Sequence, residues 1–247
     1  NGELLLHYQP KVDVVSHRIV GAEALIRWNS PKRGLLFPAQ FLPLLNEIGL
    51  GDWLGEWVLN TACVQAMAWQ SQGLPAILMS VNLSPANFMN GSITQLVADA
   101  LVSSGLSPEH LELEILEETA ITSFAEVHAI LDQLRRMKVH IALDDFGTGY
   151  TSLVYLSQIP ANILKIDRAF ISNLLSNPRQ KTLLLHIIGM AKDLDYTVVA
   201  EGVEELSQLE MLRDMNCDII QGYLFSKPLS AEAFAQLLNQ AYLDPAP

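Results

Sequence analysis

The chain repeats one unit along nearly its whole length: a short aliphatic or β-branched run, a polar loop, and then a segment with helical periodicity. Eight runs are predicted to be strands, at 4–9, 19–27, 77–83, 111–115, 139–144, 162–166, 197–201 and 218–221. Helical patterns lie at 39–48, 52–72, 91–103, 124–137, 168–176, 179–194, 205–214 and 230–241. Strands that alternate with helices indicate parallel βαβ units. The 247 residues therefore predict a TIM-like (β/α)8 barrel of the α/β class, with a doubly wound open sheet as the alternative.

This pattern continues along the chain without a segment that would separate two domains. No stretch rich in Pro, Gly or Ser divides the chain, so we expect one domain, residues 1–247, with a core of about 4–241. The first residue is Asn1, with neither an initiator Met nor a signal peptide, which indicates a domain excised from a larger protein. No apolar run reaches the roughly 18 continuous residues of a membrane helix, so we expect no membrane insertion.

Ser84-Pro85 and Ser107-Pro108 each predict a helix start, with Ser as the cap.

The charge excludes one class of partner. Fifteen Lys and Arg against 27 Asp and Glu give a net charge of −12, which is unsuited to binding a polymeric nucleic acid. A small phosphorylated ligand is compatible with this charge if metal ions supply the cations. Cys63 and Cys217 lie far apart without a CxxC pair or a Cys/His cluster, which argues against a disulfide framework and a zinc site.

Polar residues stand near the C-terminal end of nearly every predicted strand. They are Glu23, Asn82, Glu114, Asp144 with Asp145, Lys165, Glu201 and Gln221. In barrel enzymes the C-terminal strand ends form the active-site face, so these side chains are expected to converge. A single residue of this kind is at least as often a helix cap or a solvated loop residue. That explanation does not account for all seven strands together.

Two positively charged side chains, Arg27 and Lys165, are predicted to lie on the same strand faces as these carboxylates. Side chains on a strand alternate faces, so Arg27 and Leu25 lie on the face of Glu23, and Asp167 lies on that of Lys165. Both side chains are therefore expected to point into the barrel mouth, the opening at the C-terminal ends of the strands. Carboxylates packed together at neutral pH repel, and they either raise their pKa values or recruit cations.

The ligand type and number predict the metal. Oxygen ligands without thiolate or imidazole select Mg²⁺ or Mn²⁺. Because Mg²⁺ usually takes one or two carboxylates from a protein, this set suits two divalent cations better than one. The adjacent Asp144 and Asp145 suit a pair of ions about 3.5 to 4 Å apart, which activates water in phosphoester cleavage. Hydrolysis of a phosphodiester is the predicted reaction class.

A glycine-containing segment follows the two aspartates. Gly147 and Gly149 predict a lid or a ligand-shaping loop at the mouth rather than a simple turn. GxG alone is a weak signal, and no GK[ST] follows it, so the segment is not a cradle for a nucleoside triphosphate.

Eight blocks in order carry a family resemblance. They are YQP at 8–10, GAEALIRW at 21–28, VNLS at 81–84, LELE at 111–114, DDFGTGY at 144–150, LKID at 164–167, AEGVE at 200–204 and QGYLFSKP at 221–228. The chain thus resembles the EAL domain, the cyclic di-GMP phosphodiesterase module of bacterial signalling. The resemblance implies a barrel with one antiparallel strand. It also implies hydrolysis of cyclic di-GMP to linear pGpG by two-metal in-line attack of an activated water.

The resemblance also implies roles for individual residues. The two metals would be held by Glu23, Asn82, Glu114 and Asp144, and by Asp144, Asp145 and Glu201. Lys165, Glu201 and Glu23 would be catalytic, with Lys165 contacting the attacking water or the phosphate and Gln221 near that water. The substrate contacts would be Gln9, Leu25, Arg27, Asp167 and Gln221. Glu117 would hold the 146–152 loop in shape, and Glu204 would support the site from outside it.

Two positions depart from the family pattern. Leu116 stands where the family usually has Thr, and Asn46 stands where Glu is usual. The missing hydroxyl at Leu116 is expected to loosen the loop that Glu117 anchors. We therefore expect an effect on turnover rather than on metal binding.

Other functions are compatible with the same residues. The main alternative is a catalytically silent cyclic di-GMP receptor, although such family members usually lack metal ligands that this chain has. A third hypothesis is a barrel that cleaves another phosphodiester or abstracts a proton with Lys165. The resemblance further implies a homodimer, flanking GGDEF or sensor domains, and a cytoplasmic location, within a parent protein that could itself be anchored in a membrane.

Overall fold

The computed structural model describes residues 2–83, 88, 93–122, 124–147 and 153–245. Its strands are β1 Leu4–Asp13, β2 Ile19–Ser30, β3 Gly34–Leu36, β4 Leu78–Asn82, β5 Leu111–Leu116, β6 His140–Phe146, β7 Ile163–Ile166, β8 Thr197–Glu201 and β9 Ile219–Gln221. The helices in these ranges are α1 Pro38–Glu47, α2 Gly51–Ser71, α3 Ile93–Ser104, α4 Glu117–Thr122, α5 Phe124–Arg136, α6 Leu153–Leu156, α7 Arg168–Ile171, α8 Pro178–Asp193, α9 Leu206–Asp214 and α10 Ala231–Leu238. A 3-10 helix spans Pro108–His110.

The strands form a closed barrel. Their order is β1-β9-β8-β7-β6-β5-β4-β2-β3, and β1 also pairs with β2, which closes the sheet and leaves β3 outside the ring. The strand β1 runs antiparallel to both of its neighbours, β2 and β9. From β2 through β4 to β9 the remaining barrel strands pair in parallel. The predicted (β/α)8 barrel with one antiparallel strand is confirmed, and the open sheet is wrong.

The antiparallel strand has a local cause. Only five residues join Asp13 to Ile19, a length that permits a hairpin but not the crossover that a parallel pair needs. Oδ1 of Asp13 accepts from the backbone N–H of Ser16 at 2.7 Å, and His17 adopts a left-handed φ of 55°. This turn reverses the chain, so β1 and β2 pair along most of their length, with Gln9 opposite Glu23.

Apolar side chains fill the barrel and the space between the barrel and its helices. Ala142, Ile163 and Val199 form a small buried cluster, while a larger cluster lies between strands and helices. Trp69 of α2 packs against Tyr8 of β1 with the ring centroids 4.9 Å apart. None of the helices in the described ranges combines the length and apolar content needed to cross a lipid bilayer.

The strands predicted at 4–9 and 19–27 extend further, to Asp13 and Ser30, and the structure differs from the predicted elements in several short segments. The strand β3 and the helices α4 and α6 were not predicted, and the helix predicted at 168–176 ends at Ile171. These elements have three to six residues, fewer than a periodic pattern needs to be recognised. Pro108 does begin a 3-10 helix, but the Ser107 side chain makes no capping hydrogen bond. The predicted cap at Ser84-Pro85 lies outside the described residues.

Candidate active site

Lys165 lies at the centre of the polar side chains in the barrel mouth. Its Nζ lies 2.8 Å from Glu114 Oε2, 2.9 Å from Asp144 Oδ1 and 2.8 Å from Glu201 Oε1. The Lys165 side chain is 1% exposed. Because the three carboxylates come from β5, β6 and β8, one ammonium group ties together strands that are far apart in the sequence.

Glu23 lies on the opposite side of the mouth, where amide groups hold both of its oxygens. Asn82 Nδ2 donates to Oε1 at 2.7 Å, and Gln221 Nε2 donates to Oε2. The same Gln221 nitrogen donates to Gln9 Oε1 at 3.2 Å. Gln221 Oε1 is buried and accepts no hydrogen bond from the described residues. The amide is therefore fixed by its donors, and its acceptor is available to a bound molecule.

Three carboxylates in this mouth are placed to share a cation. One oxygen each of Asp144, Asp145 and Glu201 lies within 4.8 Å of the others. Asp145 has a left-handed φ of 55°, which is uncommon for a residue other than Gly and turns its side chain away from the regular strand course. Together these oxygens could hold a metal ion.

Burial and mutual repulsion oppose ionisation of most of these carboxylates. Burial raises the pKa of Glu23, and the nearby Glu114 adds to the rise. Burial likewise raises the pKa of Glu201 to about 8, although Lys165 acts against it. Burial would also raise the pKa of Glu114, but the adjacent Lys11 and Lys165 outweigh it and lower that pKa. Glu114 therefore stays ionised, while its neighbours favour a proton or a cation beside them.

A second buried lysine lies under the site and was not predicted. Lys11 Nζ donates to Ser80 Oγ at 2.7 Å, to Glu112 Oε1 at 2.6 Å and to Glu114 Oε1 at 2.7 Å. Lys11, Ser80, Glu112 and Glu114 are each at most 1% exposed. Glu114 is thus held by Lys11 through one oxygen and by Lys165 through the other. The available signal was the two-residue spacing of Glu112 and Glu114, which puts both on one face of β5.

The turn after β6 is held from two sides. Gly147 has φ 93°, and its N–H donates to Glu117 Oε2 at 2.7 Å. A Cβ at Gly147 would lie 2.5 Å from two ring atoms of Phe170. Both the backbone conformation and the Phe170 ring therefore require glycine here. The following part of the predicted loop, including Gly149, lies outside the described residues.

A cavity of about 260 Å³ opens over Lys165 and is bordered by residues that the sequence did not indicate. Arg168 and Tyr223 line its rim. The Arg168 stem crosses Gly202, where a Cβ would lie 2.3 Å from Arg168 Cγ. The Arg168 guanidinium pairs with Glu204 at 2.9 Å. Glu204 therefore lines this cavity and also holds the Arg168 side chain beside it.

The predicted substrate contacts occupy different positions around this mouth. Leu25 lines the cavity over Lys165 and also a neighbouring apolar cavity of about 460 Å³. Gln9 also lines the first cavity and donates to Ser226 O at 3.4 Å. Asp167 Oδ1 accepts from Ala169 N at 2.8 Å and so caps α7. Arg27 is 5% exposed and lies against Phe37.

Gly222 allows two chain segments to cross at the mouth, and we expect Gly222→Ala to destabilise the protein. A Cβ at Gly222 would lie 2.0 Å from Val203 O, and the crossing is held by hydrogen bonds from Val203 N to Gln221 O and from Leu224 N to Val203 O. The expected loss is about 1 to 3 kcal/mol of unfolding free energy. Urea denaturation measures it.

Gly189→Ala is the matched control for Gly222→Ala. Gly189 lies in α8, and a Cβ there would meet nothing within 4 Å. Because Ala is the better helix former, this control should gain about 0.5 to 1 kcal/mol. An equal gain of unfolding free energy in Gly222→Ala would show that the chain crossing at Gly222 has room for a methyl group.

The fold and the site together define a class: an α/β barrel with one antiparallel strand and a mouth of carboxylates that could hold a metal ion. A family model for the EAL domain matches residues 1–228. The chain belongs to the EAL domain family, which confirms the resemblance seen in the motifs.

Known relatives match over nearly the whole chain. The bifunctional diguanylate cyclase/cyclic di-GMP phosphodiesterase MucR of Pseudomonas aeruginosa is 43% identical over 230 residues, which is 93% of this chain and 34% of MucR. The cyclic di-GMP phosphodiesterase NbdA of the same organism is 38% identical over 245 residues, 99% of this chain and 31% of NbdA. A solved structure of PaMucR phosphodiesterase in complex with c-di-GMP has a TM-score of 0.90 and 42% identity, covering 94% of both chains. The chain spans about a third of the length of these two curated relatives.

Proposed function

We propose that this chain is a cyclic di-GMP phosphodiesterase that hydrolyses one phosphodiester bond to give linear pGpG. The observation that carries the proposal is the convergence of carboxylates from three strands on Lys165, in a member of the EAL domain family. MucR and NbdA, which are named as cyclic di-GMP phosphodiesterases, share 43% and 38% of their aligned residues with it.

The carboxylates Asp144, Asp145 and Glu201 fit a divalent cation, and the family pattern implies a second ion beside it. The donor set is made only of carboxylate and amide oxygens, which suits Mg²⁺ or Mn²⁺, and Gln221 Oε1 is an unpartnered buried acceptor beside it. One ion would be held by Glu23, Asn82, Glu114 and Asp144, and the other by Asp144, Asp145 and Glu201. When bound, such a pair lowers the pKa of water and stabilises the leaving oxygen.

The other polar groups of the mouth would position the reactants. Lys165 supplies a fixed positive charge beside Asp144 and Glu201 and would act on a phosphate oxygen or the attacking water through this charge, because its three N–H groups face Glu114, Asp144 and Glu201. Gln221 Oε1 can accept a hydrogen bond from that water, because its Nε2 is already committed to Glu23 and Gln9. Burial of Lys165 excludes bulk water and strengthens both contacts.

The cavities on either side of Glu23 suit a cyclic dinucleotide. Glu23 and Leu25 line both the cavity of about 260 Å³ over Lys165 and the apolar cavity of about 460 Å³. Each cavity would take one half of the substrate, with the scissile phosphate near Glu23 at the boundary. Arg27 carries a buried Nε without a hydrogen-bond acceptor among the described residues and would bind a phosphate.

The parent protein would combine this activity with others. We propose that residues 1–247 are one EAL domain within a longer cytoplasmic signalling protein, because the relatives are about three times as long. Flanking GGDEF or sensor domains, a homodimer and membrane anchoring of the parent belong to this proposal.

Product analysis tests the proposed function. The chain is incubated with cyclic di-GMP and Mg²⁺ or Mn²⁺, and the nucleotides are separated by chromatography; pGpG is expected, and EDTA or Glu23→Ala should prevent its formation. Tight binding of cyclic di-GMP without any product would favour the receptor hypothesis. Faster cleavage of cyclic di-AMP than of cyclic di-GMP would instead contradict the proposed substrate.

Leu116→Thr tests the departure from the family pattern. Leu116 is 37% exposed and directly precedes Glu117, the residue that accepts from Gly147 N. If the loop is weakly held, a hydroxyl at this position should raise the rate of pGpG formation and leave Mn²⁺ affinity about unchanged. Steady-state kinetics and titration calorimetry measure the two quantities. An unchanged rate of pGpG formation would contradict the expectation that Leu116 loosens the loop held by Glu117. The Asn46 side chain is not among those described.

A further inference from the structure

Arg27, on β2 beyond Glu23 and Leu25, has an unusual set of partners. Its side chain is buried, and Nη1 donates to the carbonyl of Ile26 at 2.8 Å. Nε is buried and has no hydrogen-bond acceptor among the described residues. A buried N–H donor without an acceptor costs free energy, so it indicates a group that is completed by a ligand.

The charge of Arg27 is not neutralised by an ion pair within the described part of the chain. Burial lowers the pKa of Arg27, while the electrostatic influence of Tyr223 and Glu23 opposes this. Leu25 lines the cavity over Lys165, and Arg27 stands two residues further along the same face of β2, so Arg27 lies next to that cavity without lining it. An anion that reaches from this cavity toward Arg27 would meet a cation that no carboxylate among the described residues pairs with.

Phe37 holds the guanidinium in this position. Arg27 Cζ lies 4.9 Å from the centroid of the Phe37 ring, a cation–π geometry. The Phe37 backbone is itself fixed at the start of α1, because its N–H donates to Gln40 Oε1 at 2.8 Å and its carbonyl accepts from Gln40 N at 2.9 Å. The ring is 54% exposed, so its contact with Arg27 does not result from burial in the core.

We propose that Phe37 is a positioning residue for substrate binding: its ring holds Arg27 so that Nε is free to donate to a phosphate oxygen of cyclic di-GMP. The inference rests on the proposed function and adds a residue that the motifs did not indicate. Phe37 touches Arg27 and not the reacting atoms. Its effect is therefore expected on binding and not on the chemical step.

Two variants separate the aromatic face of Phe37 from its bulk. Phe37→Leu keeps an apolar side chain but removes the aromatic face, and it should weaken cyclic di-GMP binding and raise KM by about three- to tenfold. The kcat should stay within about twofold of wild type. Phe37→Tyr retains the face and should restore KM. Binding is measured by titration calorimetry with cyclic di-GMP in EDTA, so that turnover does not consume the ligand.

Tyr242→Ala is the matched control for Phe37→Leu. Tyr242 is 60% exposed, and the next residue, Leu243, donates to His17 O in the turn that precedes β2, at the end of the barrel opposite the mouth. This control should leave KM unchanged. A merely structural role for Phe37 would instead lower the melting temperature and change kcat, and Tyr would not rescue KM selectively.

Two outcomes overturn the inference and can be told apart. If wild type cleaves cyclic di-GMP and Phe37→Leu has the wild-type KM and affinity, then Phe37 does not position Arg27. If wild type neither binds nor cleaves cyclic di-GMP, then the proposed function fails and this inference fails with it. A raised KM in Phe37→Leu that Phe37→Tyr restores is the supporting result.

Discussion

Asp144→Asn is expected to lower the rate of pGpG formation on the order of 10³-fold, the largest effect on activity that we predict. Asp144 is the carboxylate that both proposed metal sets share, and its Oδ1 also contacts Lys165 at 2.9 Å. The amide keeps the size of the side chain but removes the charge. Steady-state kinetics with saturating Mn²⁺ measure the loss.

This variant should remain folded. Lys165 keeps its contacts with Glu114 and Glu201. The substitution also removes one of several mutually repelling negative charges from the acidic cluster. Asp193→Asn, at an exposed position of α8, is the matched control and should have the wild-type rate. A rate for Asp144→Asn within tenfold of wild type would contradict the assignment of Asp144 as a shared ligand.

Lys11→Met is expected to cause the largest loss of stability, about 3 to 5 kcal/mol of unfolding free energy. Lys11 donates to Ser80, Glu112 and Glu114 at 2.6 to 2.7 Å, and all four side chains are buried. Its removal leaves Glu112 without its cation in a site that water does not reach. Urea denaturation with linear extrapolation measures the loss.

Two further variants test the cause of this loss. Lys11→Met/Glu112→Leu removes both charges and should recover at least half of the stability, because a well-packed apolar pair avoids the buried unpaired carboxylate. Lys192→Met removes a lysine with an equally short contact, 2.7 Å from Asp218, but both of these side chains are 31% exposed. The expected cost there is at most about 1 kcal/mol. Equal losses in Lys11→Met and Lys192→Met would mean that burial of the Lys11 cluster does not determine its contribution.

The barrel was predictable because its strands are long enough to carry a local signal. Each barrel strand coincides with an apolar run bounded by polar residues, and the succession of runs and helices determines the topology. The direction of β1 was not visible in the alternation and came only from the family resemblance. The short turn after Asp13 is its physical cause, and it was missed because the predicted strand ended at residue 9 and left residues 10–18 as the connection.

The site residues that stand at the C-terminal ends of barrel strands could be predicted from the sequence. Glu114, Asp144 and Glu201 stand at strand ends, and the closure of the barrel brings them to Lys165. Their proximity follows from topology, so the sequence pattern was sufficient.

Contacts between distant segments could not be predicted in this way. Lys11 is 101 residues from Glu112, and nothing near Lys11 in the sequence distinguishes a buried lysine from an exposed one. Arg27 and Phe37 are closer in sequence, but they meet only because β3 pairs with β2 and begins the turn into α1. These interactions depend on tertiary packing that no local pattern encodes.

Titration calorimetry with Mn²⁺ tests the central claim most directly, because the whole account requires the carboxylates of the barrel mouth to bind divalent cations. The wild-type chain, with metal removed beforehand and without cyclic di-GMP, is expected to bind two Mn²⁺ per chain, and Asp144→Asn should lose both. Absence of Mn²⁺ binding in wild type, or the same stoichiometry and affinity in Asp144→Asn, would contradict the account.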